Sequence, residues 1–302
     1  MAFCFALWPF GIRYGDLALT TRYEDIDTPA DLIRAYRRGA KKQFGQHFLS
    51  DPSILGKICS HAQIQPQDHV LEIGPGCGTL TWSMLTRGAD VLAAEIDRDA
   101  IAFLKGVFAE QSFALLEGDA LKINWPEVLD THDGKWKCVA NLPYNVGTAL
   151  FLDLTNYAER FESLTLMFQR EVAKRMAADV SEKAYGSLSL LVELYYDAEI
   201  VMSLPPGAFS PPPKVHSAVV RFRPVPGTRI KDERVRQLFE RVIRAAFQQR
   251  RKKLTNGLKA LSLDKALVNS ILTDMGRSTN TRAEELSFDA FHELVGRLAE
   301  ET

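Results

Sequence analysis

The chain has 302 residues, 46% of them hydrophobic and 25% charged, which suits a globular protein with its own core and excludes a disordered or fibrous one. Its net charge is −1, yet the stretch from Lys214 to Lys259 holds fourteen Lys or Arg against Asp232, Glu233 and Glu240, a local +11 that leaves −12 elsewhere; the readings are a phosphate-bearing partner or a solvated helix face. Cys4, Cys59, Cys77 and Cys138 are scattered, with no CxxC pair and no His at metal-ligand spacing, and no uncharged run approaches a membrane span, so no disulfide framework, metal or membrane is expected and the reducing cytoplasm is.

Residues 1–12 are apolar but lack a basic lead and a clear cleavage site, and Asp16, Glu24, Asp25, Asp27 and Asp31 weigh against a transit peptide. Residues 1–40 read as an extension of unassigned role. The run Lys41-Lys42-Gln43-Phe44-Gly45-Gln46-His47-Phe48-Leu49 is basic, aromatic and glycine-containing, and Ser50-Asp51-Pro52 then starts a helix. His47 is either a structural histidine or a polar cover over a ligand.

Residues 69–73 read as a buried strand entering Glu72-Ile73-Gly74-Pro75-Gly76-Cys77-Gly78-Thr79-Leu80, with a helix over 79–87. Gly74, Gly76 and Gly78 let the backbone pass close to a ligand. The dinucleotide fingerprint wants its third glycine one place later, where Thr79 stands, which counts against a nicotinamide dinucleotide. A second strand over 91–96 brings Glu95-Ile96-Asp97 about twenty residues after the glycines, where an acid can accept both ribose hydroxyls.

The alternation continues with a helix over 98–108, a strand over 113–116 that leads to Gly118-Asp119-Ala120, and a short strand over 137–140 that ends in Asn141-Leu142-Pro143-Tyr144. Asp119 either accepts an adenine amine or caps a helix. In open parallel sheets ligands sit at the carboxyl ends of the strands, so Gly74, Glu95, Asp119 and Asn141 are expected in one crevice. An exocyclic adenine amine is a poor nucleophile, because its lone pair is delocalised into the ring. An enzyme that alkylates it must accept its protons and hold it out of plane. The Asn141 side-chain carbonyl and the Leu142 backbone carbonyl offer acceptors, Pro143 has no competing amide proton, and Tyr144 offers a stacking face. The same four residues also suit an ordinary strand-to-loop turn.

A helix over 148–157, a strand over 164–168, helices from Gln169 and over 186–194, and closing strands over 199–202 and 217–223 follow. Between the closing strands, the prolines from Leu204 to Val215 stiffen a loop and fix Phe209, as a site aromatic or as the buried residue of a rigid connector. The Pro/Gly break from Pro224 to Gly227 divides the chain into 41–224 and 225–302. The second part is helical by pattern: Val235, Leu238, Val242, Ile243 and Ala246 recur at helical spacing, Arg234, Arg241 and Arg244 take other faces, and Arg250-Arg251-Lys252-Lys253 follow.

Taken together, these motifs resemble the small-subunit ribosomal RNA adenine dimethyltransferase family from Lys41 to Leu298. The carriers are Phe44 to Leu49, Glu72 to Gly78, Glu95 to Asp99, Gly118 to Ala120, Asn141 to Asn145, and Phe209-Ser210-Pro211-Pro212-Pro213-Lys214-Val215-His216-Ser217. The resemblance implies an α/β fold, with a Rossmann-like seven-stranded S-adenosylmethionine-dependent catalytic domain over 41–224 and a small all-α substrate-binding domain over 225–302. It implies dimethylation of the N6 amines of two adjacent adenosines in the 3′-terminal hairpin loop of small-subunit (16S) rRNA, within an immature 30S particle, by a cytoplasmic monomer.

By the same resemblance His47 and Leu49 belong to the donor pocket with Gly74 and Gly76 at its floor, Glu95 holds the ribose, Asp119 the donor's adenine amine, and Asn141 lies between donor and acceptor. Asn141 and Leu142 select the adenine, and Tyr144 and Phe209 sandwich it; from the density of charge, Lys214, Arg250, Arg251, Lys252 and Lys253 are expected to hold RNA phosphates. Two alternatives stay open: a large-subunit rRNA adenine methyltransferase of the macrolide-resistance type, and a non-catalytic RNA-binding or transcription factor on the same fold. The run from Ala245 to Asn256 and Arg282-Ala283-Glu284-Glu285-Leu286 resemble the dimethyltransferase signature and weigh against the first; Asn141 and Glu95 weigh against the second.

Overall fold

The computed structural model describes residues 22–36, 39–41, 45–249 and 252–301. The chain divides into two compact units, one running to Arg170 and resuming from Ile200 to Arg223, the other comprising Glu171–Glu199 and the chain from Pro224.

In the first unit, α1 (Pro29–Ala35) starts with proline in its first turn, and the Asp31 carboxylate accepts from both the backbone N–H and the hydroxyl of Thr28, at 2.7 and 2.8 Å. Leu32 on α1 and Tyr36 after it are buried in the hydrophobic core, so this part of the N-terminal extension belongs to the unit's interior. After β1 (Phe48–Leu49), α2 (Pro52–His61) is capped by Asp51, which accepts from the Ser53 amide at 2.8 Å.

The chain then alternates through β2 (His69–Ile73), α3 (Thr79–Leu85), β3 (Asp90–Glu95), α4 (Arg98–Val107), β4 (Phe113–Glu117), α5 (Trp125–Leu129), β5 (Trp136–Asn141), α6 (Gly147–Leu154) and β6 (Phe161–Gln169). It continues with α7 (Arg170–Met176), α8 (Ser187–Tyr195), β7 (Tyr196–Leu204), β8 (Phe209–Ser210) and β9 (Ser217–Pro224). Among the described residues seven strands form one sheet in the order β4-β3-β2-β5-β6-β9-β7. β2 pairs in parallel with both β3 and β5, β3 with β4 and β5 with β6, while β9 runs antiparallel to β6. Helices cover a parallel sheet on both faces, which is why strands such as Cys138-Val139-Ala140 are continuously apolar and buried. The strand order reverses between β2 and β5, and that switch point opens a crevice at the carboxyl ends of these two strands.

Two features were not foreseen from periodicity. β1 and β8, two residues each, pair antiparallel with Phe48 opposite Ser210 and Leu49 opposite Phe209. The helical unit also takes in 171–199, so the chain passes between units three times rather than once at Pro224. The cause is α8, which buries Leu188, Leu190, Leu191, Val192, Leu194 and Tyr195, and a helix with so broad an apolar surface must be covered on more than one side. The Tyr195 hydroxyl donates to Glu240 Oε1 at 3.0 Å on α9 (Glu233–Phe247). The rest of this unit comprises α10 (Leu254–Gly257), α11 (Lys265–Asp274) and α12 (Phe288–Glu300). α9 buries Phe239, Val242, Ile243 and Ala246 and leaves Arg234, Arg241 and Arg244 exposed. The Phe239 and Phe288 ring centroids lie 4.9 Å apart. Among the described residues no helix is long and apolar enough to cross a membrane.

Candidate active site

A cavity of about 250 Å³ lies at the switch point, lined by the loops after β2, β3, β4 and β5 together with residues 45–49. The loop after β2 turns through Gly76 at φ +59° and Gly78 at φ +81°. A Cβ at Gly76 would stand 2.8 Å from Phe48 Cε1, and one at Gly78 would stand 2.6 Å from Phe108 Cε2. Only glycine satisfies both the backbone region and the space at these two positions.

Glu95, at the end of β3, is buried, and its carboxylate accepts three backbone N–H groups: Gly76 at 3.0 Å on one oxygen, Ile96 and Asp97 at 2.8 Å on the other. Burial raises its pKa, and those three donors oppose the rise. The side chain expected to hold a ribose thus also ties the glycine loop to the end of β3. Asp119 lines the cavity and caps the turn through its bond from the Leu121 amide at 3.1 Å, the capping role foreseen for it.

Asn141 ends β5, and its Nδ2 donates to the His47 carbonyl at 2.9 Å. A carbonyl can only accept, so this contact fixes the amide's orientation and leaves Oδ1 for a different partner. Leu142 and Tyr144 also line the cavity. The Tyr144 hydroxyl is hydrogen-bonded to the buried Ser217 hydroxyl, and its ring lies 5.8 Å from that of His47 at an interplanar angle of 26°. His47 Nδ1 is 2.8 Å from the Pro211 carbonyl. His47, Leu49, Gly74, Gly76, Glu95, Asp119, Asn141, Leu142 and Tyr144 therefore line one cavity.

Phe209, expected as the second wall around a base, is placed differently. It is buried in the hydrophobic core and does not line the cavity. The reason is register: in β8, Phe209 turns inward and Ser210 outward, as the period-two alternation of a strand requires. Lys214, Lys252 and Lys253 are exposed, and Arg250 and Arg251 lie outside the described residues.

Among the cavity residues to which the sequence assigned no role, three stand out. Glu72, in β2, is 2% exposed and accepts from the Thr81 hydroxyl at 2.6 Å. Burial pushes its carboxyl up to about 8, the Thr81 bond opposes this, and the Glu95 charge adds to it. An acid inside an otherwise apolar strand was the available signal. Ile96 and Leu121 are apolar and exposed, yet line the cavity; each sits beside a recognised acid, and only the fold shows that they share a surface.

Solved structures share this architecture. A dimethyladenosine transferase from Plasmodium falciparum matches with a TM-score of 0.67 at 28% identity, over 82% of this chain and 96% of that one. The 23S rRNA methyltransferase ErmE has the same fold, with a TM-score of 0.64 at 22% identity over 83% of this chain and 99% of its own. The fold is thus the Rossmann-like fold of rRNA methyltransferases. Among sequence relatives, the ribosomal RNA small subunit methyltransferase A of Syntrophotalea carbinolica is 43% identical over 255 residues, 84% of this chain and 95% of that protein. The protein of that name from Pseudomonas syringae pv. syringae is 40% identical over 273 residues, 89% and 98% of the two chains. The family model described as ribosomal RNA adenine dimethylase matches residues 37–300, and the chain belongs to that family.

Proposed function

We propose that the cavity holds S-adenosylmethionine and that the chain transfers two methyl groups to the N6 amine of each of two adjacent adenosines in the 3′-terminal hairpin loop of small-subunit rRNA. The observation that carries this reading is the fixed amide of Asn141: Nδ2 is committed to the His47 carbonyl, so Oδ1 is the lobe free to accept from an incoming amine, beside a cavity with the groups a nucleoside needs.

The residues present fit the donor. Glu95 offers carboxylate oxygens to ribose hydroxyls, Asp119 accepts an adenine amine, and Ile96 and Leu121 offer apolar surface to a flat ring. When bound, the sulfonium supplies a methyl group already electrophilic enough to need no carboxylate base. Asn141 Oδ1 and the Leu142 carbonyl take the amine's hydrogen bonds and turn it towards the donor, and Tyr144 carries the face of a base that has left its stack. Stacking tolerates any base, so adenine is selected by those acceptors. Lys214, Lys252 and Lys253, with Arg250 and Arg251, hold phosphates of an immature 30S particle in the cytoplasm, where the chain acts as a monomer without a metal. The small-subunit names of the relatives favour this substrate over large-subunit rRNA.

The test is transfer from radiolabelled donor to immature small subunits from a strain lacking the enzyme. Label is expected in two adjacent adenosines of the terminal hairpin loop. Label in large-subunit rRNA would support the macrolide-resistance alternative, and no label at all would support a non-catalytic RNA-binding protein.

A further inference from the structure

A polar cluster outside the residues assigned above gathers on Asp97, two residues beyond Glu95. Its carboxylate is 1% exposed and receives four donors. Lys41 Nζ at 2.5 Å and the Asp99 amide at 3.0 Å meet Oδ1; Gln46 Nε2 at 3.1 Å and the Tyr36 hydroxyl at 3.3 Å meet Oδ2. Four donors saturate a carboxylate. Burial opposes its ionisation, but the bonds from Lys41, the Asp99 amide and Gln46 outweigh it, and the pKa is lowered.

Only the bond from Asp99 belongs to helix capping. The other three reach back to a separate stretch of chain, and Gln46 closes a loop within it by accepting from the Lys41 amide at 2.8 Å. Tyr36 adds an apolar grip, with its ring edge-on to Phe48 at 6.0 Å and 5.3 Å from Phe103. Gln46, His47, Phe48 and Leu49 line the cavity. On its other side Asp97 donates its amide to Glu95. One buried residue thus joins the Glu95 end of the cavity, through its amide, to residues 46–49 of the cavity lining, through its carboxylate and Gln46.

We propose that Asp97 is a positioning residue for the methyl donor, a latch on which Tyr36, Lys41 and Gln46 hold residues 45–49 against the cavity. Tyr36 lies just outside the span matched by the family model, and through it this part of the N-terminal extension braces the pocket wall before the donor arrives. A pre-ordered wall spares the donor the entropy of ordering it, so the latch acts on donor affinity; bound donor orders the wall, and with it the His47 carbonyl that holds Asn141, so the transfer step at saturating donor changes little. The inference rests on the reading of the cavity as the donor site.

Asp97→Ser separates latch from cap, because serine still caps the Asp99 amide but is too short to reach Tyr36, Lys41 and Gln46, while Lys41 keeps its bond to Asp99 Oδ2 at 2.6 Å. The wild-type chain is first titrated with S-adenosylhomocysteine by calorimetry; failure to bind would refute the donor-site reading itself. Given binding, Asp97→Ser is expected to weaken it roughly tenfold and to raise the donor KM similarly, with kcat at saturating donor within about twofold of wild type. Amide exchange over 45–49 should quicken while that of α4 stays as it was. Unchanged affinity and unchanged exchange over 45–49 would overturn the latch and leave Asp97 a helix cap. Should the serine variant fail to fold, Tyr36→Phe keeps both ring contacts and removes only the hydroxyl. A rise of roughly twofold to fivefold in the dissociation constant, with faster exchange over 45–49, is then the supporting result, and wild-type values overturn the proposal.

Discussion

Replacing Glu95 with alanine should damage the fold as well as the donor site. The carboxylate takes the N–H groups of Gly76, Ile96 and Asp97. Ile96 is 47% exposed, so water can replace its partner, but the Gly76 and Asp97 residues are buried. Two stranded donors cost about 1–3 kcal/mol each, and deleting a carboxyl whose burial raises its pKa returns part of that. A net loss of about 2–3 kcal/mol lowers the melting temperature by roughly 4–12 °C in a chain of this size. Glu95→Gln can still place its carbonyl on the Ile96 and Asp97 donors and opposes only Gly76 with an amide, so its loss should be about half as large. Donor affinity should fall by about 1–3 kcal/mol in the alanine variant through the lost ribose acceptor. Thermal melts alongside calorimetric titration test both consequences. An alanine variant that melts with the wild type, or one no less stable than the glutamine variant, would refute the tie between Glu95 and the glycine loop.

Three further outcomes are expected. Asn141→Ala should lower kcat by at least about a hundredfold while part of the donor affinity survives, since its oxygen acts on the acceptor amine; single-turnover transfer at wild-type rate would remove it from the mechanism. Glu72, held up to about 8 against an ordinary 4.5, keeps its proton in the native chain across a range where the unfolded chain has released it. The stability from that proton is full below this window and falls as pH rises through it, so Glu72→Gln should melt with a flatter pH profile and gain on the wild type at about pH 8 and above; parallel profiles would count against it. Lys252→Ala with Lys253→Ala should reduce the log-log salt slope of RNA binding by about one to two, with an unchanged melting temperature. A lowered melting temperature with the slope intact would make these lysines structural instead.

The parts of the site that the sequence disclosed are those fixed by strand ends. Gly74, Glu95, Asp119 and Asn141 each end or follow a parallel strand, and the reversal of strand order at β2 and β5 brings those ends together wherever the loops go. What stayed hidden depends on contacts between distant segments. Glu72 becomes a buried acid only when α3 lays Thr81 across it, and Asp97 becomes more than a helix cap only when Tyr36, Lys41 and Gln46 arrive from far back in the chain, at sequence separations of 61, 56 and 51. The same holds for α8, whose strand-like neighbours in sequence conceal that its broad apolar surface belongs with α9 in the helical unit.

The surroundings of Tyr144 turn on a pairing of two residues with two. Composition leaves Phe209 open to either a site or a core position, and the β1–β8 register decides by setting it opposite Leu49 and turning it inward. The ring that does lie beside Tyr144 is His47. That residue also gives its carbonyl to Asn141 and places Nδ1 on the Pro211 carbonyl. Three motifs that are separate in sequence, the segment before α2, the asparagine tetrapeptide and the proline loop, are thus joined through one histidine. Under the proposed function, a base entering beside Tyr144 meets the His47 ring. The His47 carbonyl holds the Asn141 amide, so the proposed acceptor entry and amine orientation fall to one residue.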